Sequence, residues 1–316
     1  MKNETKIDIK IIALSSHLEK RENLNDSTSV MENKDYINHI KPDVFAPTLF
    51  CANTDKYRLQ SLIDSMSDER YKVIWCIRGG YGSARIIQEL TNSLEHLKIK
   101  PQKIFIGFSD TTAIHLFLHQ NLNWQTIHGL NYNQISDSTN GKIFSKANFD
   151  ILDKILKNSL KFIEIDDLVN LNQTAQISKN INGNITGGNL SLLQTSIGTN
   201  WEINTKDKIL IIEDVFESAA YRIDRMLEHL YQANKLSNAK AIVFGEFHEC
   251  GRETDDALKR IANLLDNHNI PVFKTQMIGH GYHNYPFIYG APTTIIKYNI
   301  ENTDEAKFIM KQKVIL

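Results

Sequence analysis

The sequence predicts an α/β protein: a Rossmann-like parallel-sheet domain followed by a smaller, β-rich α/β domain. Three observations carry this prediction. Short β-branched apolar runs alternate with segments of helical apolar spacing through the first half. Two of those runs break sharply at glycines. The second half then resumes the alternation and closes in further strand-like runs.

The elements follow in order. Ile7 to Leu14 is β-branched and apolar, a first strand. Thr54 to Met66 carries Tyr57, Leu59, Leu62 and Ile63 at mostly helical intervals. Lys72 to Ile77 is a short apolar run stopped by Arg78-Gly79-Gly80-Tyr81-Gly82. Ser83 to Leu90 reads as a helix, Lys103 to Phe108 as a strand, and Asp110 to Gln120 as a helix. Strands spaced by helices of this length favour a parallel sheet. From Asn131 to about Gln173 the chain turns polar and Asn-rich around one short helix, Phe149 to Leu156, and reads as a crossover. The strand Lys208–Asp214 follows, then the helix Tyr221–Leu230, whose Ile223, Met226, Leu227 and Leu230 form an i, i+3, i+4, i+7 stripe. Another strand, Ala241–Gly245, precedes a helix over Thr254–His268, and short strands run from Pro271 onward. The expected organisation is an N-terminal domain over 1–130, a linker over 131–175 and a C-terminal domain over 176–316.

Composition narrows the function. The chain has 316 residues, 41% hydrophobic and 23% charged, enough for a real core. A net charge of −1 gives no electrostatic footprint for nucleic acid or an anionic membrane. No window approaches the ~18 apolar residues of a membrane span, and the start lacks a secretory pattern. Three dispersed cysteines, Cys51, Cys76 and Cys250, argue against a disulfide framework or zinc site. A cytoplasmic protein is expected.

The stretch KIFIGFSDTTAIHL, Lys103 to Leu116, puts Ser109 where a strand hands over to a helix. Such junctions expose nucleophilic hydroxyls beside helix N-terminal N–H groups. The sequence is not the GxSxG of α/β-hydrolases, and Ser109 or Asp110 could simply cap the helix. A serine nucleophile also needs an imidazole base. Eleven histidines compete. His115 and His119, one turn apart, read as helix-surface or packing residues, and His96, His229 and His268 as surface residues. His17 and His39 lie in polar segments and His248 in a polar loop, while His128 ends a strand and could face a cleft. His280 and His283 sit in MIGHGYHNYPFIYGAP, a Gly- and aromatic-rich loop of the kind that carries catalytic groups. Their spacing could hold a metal, but no nearby cysteine or carboxylate completes a ligand set, so no metal is expected. Three acids, Glu213, Asp214 and Glu217, crowd the end of a strand, more than capping needs; any of them could orient the imidazole.

Five motifs then coincide in order: IRGGYGSAR (Ile77–Arg85), GFSDTTAIH (Gly107–His115), TGGNLSLLQTSIGT (Thr186–Thr199), IIEDVFESAAYRIDRML (Ile211–Leu227) and MIGHG (Met277–Gly281). Together they resemble the LD-carboxypeptidases of serine peptidase family S66, which includes the microcin C immunity peptidases. The resemblance implies a serine nucleophile at Ser109, a triad glutamate at Glu213 and a triad histidine at His280. It also implies an oxyanion hole from the backbone amides of Asp110 and Gly80, an active site between two lobes, no cofactor, and a homodimer. The implied reaction releases the terminal D-alanine of a murein tetrapeptide in peptidoglycan recycling. A cationic partner for that D-alanine carboxylate could come from Arg222, Arg225 or Arg78, each of which could equally be a surface or interdomain ion pair. One departure is visible: Ala13-Leu14-Ser15-Ser16-His17 stands where many members have a Pro-Ser-Gly turn, which leaves the cleft there open. The rival activity, hydrolysis of a peptidyl-nucleotide conjugate, asks for an aromatic platform. The crossover offers Tyr132, Phe144, Phe149 and Phe162 but no tryptophan. A catalytically silent muropeptide binder is the remaining alternative.

Overall fold

Strand β1, Ile7–Ile12, opens a parallel sheet in the computed structural model, which describes residues 6–19, 22–94, 102–299 and 306–315. His96 lies outside those residues. The chain divides into two compact units, Met1–Phe149 and Asp150–Leu316.

In the first unit β1 is joined by β2 (Tyr36–Ile40), β3 (Val73–Cys76), β4 (Ile104–Gly107) and β5 (Thr126–His128). All pair in parallel, in the order β5-β4-β3-β1-β2. A parallel sheet is covered on both faces, which is why Val73-Ile74-Trp75-Cys76 is apolar without alternation and wholly buried. Helices α1 (Glu22–Glu32), α2 (Asp55–Ser67), α3 (Ile87–Leu94) and α4 (Thr112–Leu122) connect the strands. The chain winds outward to β2 and then back through β3, β4 and β5, so its direction reverses between β1 and β3. The carboxyl ends of strands at such a reversal are where α/β sheets build their sites. Here those ends are Ser15-Ser16, Arg78-Gly79-Gly80 and Ser109.

The second unit holds a seven-stranded barrel. Its strands are β6 (Phe162–Asn170), β7 (Ile181–Asn189), β8 (Lys208–Val215), β9 (Ala241–His248), β10 (Val272–Gly279), β11 (Pro292–Asn299) and β12 (Ala306–Lys313). They close in the order β8-β9-β10-β6-β12-β11-β7. Strands β7 to β10 pair in parallel, and the others close the ring antiparallel. Helices α8 (Leu190–Ser196), α9 (Ala220–Gln232) and α10 (Thr254–Asp266) pack beside the parallel strands, with α9 against both others. The predicted stripe on α9 is its buried face: Ile223, Leu227 and Leu230 are at most 1% exposed, and Met226 lies at the margin. Each such burial contributes roughly 1.5–3 kcal/mol.

Two expectations are corrected. Residues 131–175 carry more than one helix: they form a short capped turn, α5 (Ile135–Asn140), α6 (Lys146–Leu156), strand β6 and α7 (Gln173–Ile177). The polar composition hid β6, whose Ile163, Ile165 and Leu168 face inward between exposed Glu164, Asp166 and Val169. A register shift opposite Phe308 and Met310 breaks strict alternation between Ile165 and Leu168. With β6 built into the barrel, the second unit is the longer of the two rather than the smaller.

Candidate active site

Ser109 occupies a strained turn. Strand β4 ends at Gly107, Phe108 is extended, and Ser109 takes φ 67° as the first residue of a single 3-10 turn that leads into α4. A left-handed conformation costs a non-glycine residue ~1–2 kcal/mol. Thr111 Oγ1 closes the turn by donating to the Phe108 carbonyl at 3.0 Å. His115, one turn into α4, sits with Nε2 2.9 Å from the Gly107 carbonyl. Burial holds its pKa down to about 3, so it is a neutral donor rather than a base. Phe108, Asp110 and Thr111 are buried while Ser109 is half-exposed, so the turn presents one residue outward. That is more than a cap requires.

The Arg78–Gly82 loop lies against this turn. A Cβ on Gly79 would stand 2.9 Å from Ser109 Cβ and 3.1 Å from its Oγ, so only glycine fits there. Gly80 has φ 114° and abuts Ser16. Asp110, the residue after the serine, buries its carboxylate under three donors: Ser15 Oγ (2.6 Å), Ser83 N (2.8 Å) and Gly82 N (3.3 Å). Burial raises its pKa and those hydrogen bonds oppose the rise. Arg78 donates to the His17 carbonyl at 2.9 Å.

The second unit carries an acid–imidazole pair. Glu213, near the end of β8, is fully buried, and its Oε2 lies 2.5 Å from His280 Nδ1 in the loop after β10. Its Oε1 is buried without a hydrogen-bond partner among the described residues, so the imidazole receives most of this carboxylate's field. Room for the pair comes from a bulge: β9 shifts register between Phe244 and Glu246, and the Cβ of Glu213 packs over Gly245 and Gly279. A carboxylate at Nδ1 favours the Nδ1–H tautomer and leaves the Nε2 lone pair to accept a proton.

Adjacent strand residues point to opposite faces, and this separates Glu213 from Asp214, while Glu217 lies past the strand end. Asp214 turns toward α8, accepting from Asn189 Nδ2 (2.8 Å), Val215 N (2.8 Å), Ser191 N (3.1 Å) and Ser191 Oγ (2.9 Å). It anchors a helix start, as strand-end acids do. Burial, and then the neighbouring Glu213 charge, raise its pKa to about 6. Glu217 lines an open recess of about 340 Å³ with Arg222, Arg225, Met226, Gln194 and His229. Arg222 stands 3.8 Å from Glu217, and Arg225 lies over the Tyr221 ring.

Five other imidazoles have partners elsewhere. His128 is fully buried against the Phe108 ring, not open to a cleft. His283 packs between Tyr282 and Tyr285, His39 pairs with Asp8, and His229 and His268 contact Gln194 and Tyr231.

Two family models match the chain, the LD-carboxypeptidase N-terminal domain over residues 9–129 and its C-terminal domain over 182–295. A Rickettsia conorii protein provisionally named a carboxypeptidase is 46% identical over 248 residues, 78% of this chain and 75% of that one. A Bacillus subtilis protein named a probable murein peptide carboxypeptidase is 33% identical over 235 residues, 73% of this chain and 70% of that one. The chain belongs to the LD-carboxypeptidase family, peptidase family S66. Its fold is also that of the crystallised MccF-like protein of Bacillus anthracis, with TM-score 0.82 at 20% identity, covering 100% of this chain and 99% of that one.

LD-carboxypeptidases are peptide-bond hydrolases, and the two family domains divide the candidate residues: Ser109 falls in the N-terminal domain, Glu213 and His280 in the C-terminal one. Two buried polar groups near the Ser109 turn are not among the candidates above. Arg58 is fully buried on α2 in line with Leu62 and Met66, a charge on the apolar face that the helical spacing made visible. Ser15 follows the first parallel strand, at the sheet end where sites gather, within the turn that departs from the family pattern.

Proposed function

We propose that the protein is a serine LD-carboxypeptidase that releases the terminal D-alanine of murein tetrapeptides. In this reading Ser109 Oγ attacks the carbonyl carbon of the last peptide bond while His280 Nε2 takes its proton. The amides of Asp110 and Gly80 receive the negative oxygen. His280 then gives the proton to the leaving D-alanine nitrogen, which departs from a Ser109 ester. Water, activated by the same imidazole, hydrolyses that ester and restores the serine. Glu213 holds the imidazole tautomer and stabilises its cation.

The observation that supports this most directly is the Glu213–His280 pair, a buried carboxylate on the imidazole nitrogen that leaves the other nitrogen to act as base. The strained Ser109 turn supports the nucleophile. Arg222 and Arg225, beside the open recess, are our candidates for the D-alanine carboxylate, with Arg78 as a third. Cytoplasmic peptidoglycan recycling and a homodimeric state belong to the same proposal; among the described residues no helix is long and apolar enough to cross a membrane.

The test is hydrolysis by the purified wild type and Ser109→Ala, followed by mass spectrometry. Murein tetrapeptide and an aminoacyl-sulfamoyl adenosine are offered separately. D-alanine release by the wild type and none by the variant is expected. Equal turnover by the variant removes Ser109 as nucleophile. Cleavage of the nucleotide conjugate alone moves the protein to the microcin-immunity activity, and binding of muropeptide without product makes it a silent binder.

A further inference from the structure

The turn Leu14–His17 and the loop Gly79–Ser83 are joined by a buried polar network that centres on the Asp110 carboxylate. Ser15 Oγ and Ser83 N both donate to Asp110 Oδ2, and Gly82 N donates to Oδ1. Ser83 Oγ in turn donates to the Asp110 carbonyl at 2.5 Å. Gly82 is held on its other side by Arg58, whose Nη1 donates to the Gly82 carbonyl at 2.8 Å and also to the Leu14 carbonyl. Asp55 carries the charge of Arg58, with Oδ1 2.5 Å from Nη2. Ser16 completes the attachment: its amide donates to the Gly79 carbonyl (3.3 Å), and its Oγ accepts from Tyr81 N (3.1 Å) and donates to the Phe50 carbonyl (2.8 Å). Ser15, Ser83, Arg58 and Asp110 are at most 4% exposed.

The chemistry of this network is one-sided. Every group around the Asp110 carboxylate is a donor, so an acceptor-only carboxylate satisfies all of them and an amide cannot. The network is also larger than helix capping needs. It ties the residue after Ser109 directly to the Gly82–Ser83 end of the loop, and through the Ser15–Ser16 turn to the Gly79 end that packs on Ser109.

We propose that Ser15, Asp110 and Arg58 form a positioning brace that sets the Gly79–Ser83 loop against the Ser109 turn and so fixes the spacing of the two oxyanion amides. This rests on the reading of Ser109 as nucleophile. The side chains of the brace touch no substrate; they act through the backbone of Gly80 and Asp110. Its signature is therefore a loss in turnover with substrate affinity held, because misplacement of ~1 Å costs ~10²-fold in rate while ground-state contacts persist.

The experiment compares the wild type, Ser15→Ala, Ser15→Cys and Asp110→Asn, with Ser109→Ala as control. Steady-state kcat and KM are measured on murein tetrapeptide, labelling of Ser109 by a fluorophosphonate is timed, and the folded fraction at assay temperature is read from thermal melts. We expect kcat to fall about tenfold in both Ser15 variants and about 10²-fold in Asp110→Asn, with KM within about twofold and labelling slowed in parallel. Should Asp110→Asn fail to fold, the two Ser15 variants decide alone. Folded Ser15 variants with wild-type kcat and labelling overturn the brace while Ser109 stands, as does a kcat loss that merely tracks the unfolded fraction. An active or labelled Ser109→Ala removes the nucleophile and the brace with it, a result distinct from either.

Discussion

Glu213 Oε2 and His280 Nδ1 lie 2.5 Å apart, although 67 positions separate the two residues in the chain. The carboxylate is wholly shielded from water, so its charge acts on the imidazole with little screening. Glu213→Gln keeps the shape but removes the charge and allows the wrong tautomer. It should lower kcat by ~10³–10⁴-fold with little change in KM, measured by steady-state D-alanine release. A loss below tenfold would remove Glu213 as the orienting group.

Gly79→Ala tests the Ser109 turn from its other side. The added methyl would meet Ser109 Cβ at 2.9 Å and Oγ at 3.1 Å, so either Ser109 or the loop must give way. Activity should fall by ~10²-fold, with fluorophosphonate labelling of Ser109 slowed alongside. Unchanged labelling would mean that the loop yields instead of the serine.

Asp214 should imprint a pH dependence on stability. Its folded pKa of about 6 exceeds the ordinary 3.8, chiefly through burial and then the Glu213 charge. Between those values the folded protein holds a proton that the unfolded chain has lost. The contribution is thus most favourable below 3.8, declines as pH rises, and levels off above about 6, a span of about 3 kcal/mol. Urea denaturation at pH 4.5 and pH 7 should show Asp214→Asn lacking this decline. An identical pH difference in both proteins would contradict it.

Arg222→Gln combined with Arg225→Gln should raise KM for murein tetrapeptide by ~10–100-fold and leave kcat within a few-fold, the loss of a charge-assisted contact to the substrate carboxylate. A tetrapeptide amidated at its C-terminus should bind both proteins alike. Discrimination by the double variant as strong as that of the wild type would move the carboxylate site elsewhere, with Arg78 next to be tested.

Much of the fold was legible because it is written in local spacing. The apolar stripe of α9 and the unbroken apolar run of β3 each report their own surroundings. Strand β6 was not legible: its alternation is interrupted by a register shift and set in polar, Asn-rich sequence, so composition outweighed period. Of the strained Ser109 geometry the sequence shows only a strand–helix junction, since a positive φ at a serine leaves no compositional mark.

The sequence by itself determined the family, through five ordered motifs, and with it the residue types that the chemistry needs. Spacing alone leaves Glu213, Asp214 and Glu217 open, since they stand together on the chain, and only the family resemblance points to Glu213. Tertiary structure separates them: the pleat of β8 turns Glu213 to His280 and Asp214 to α8, and β9 is bulged beside Gly245, where Glu213 packs. The same holds for Ser15 and Arg58, whose roles arise only where the sheet brings the ends of separate strands together. Spacing along a chain records which face a side chain takes, but a partner far away in sequence is specified only by the packing of the whole unit.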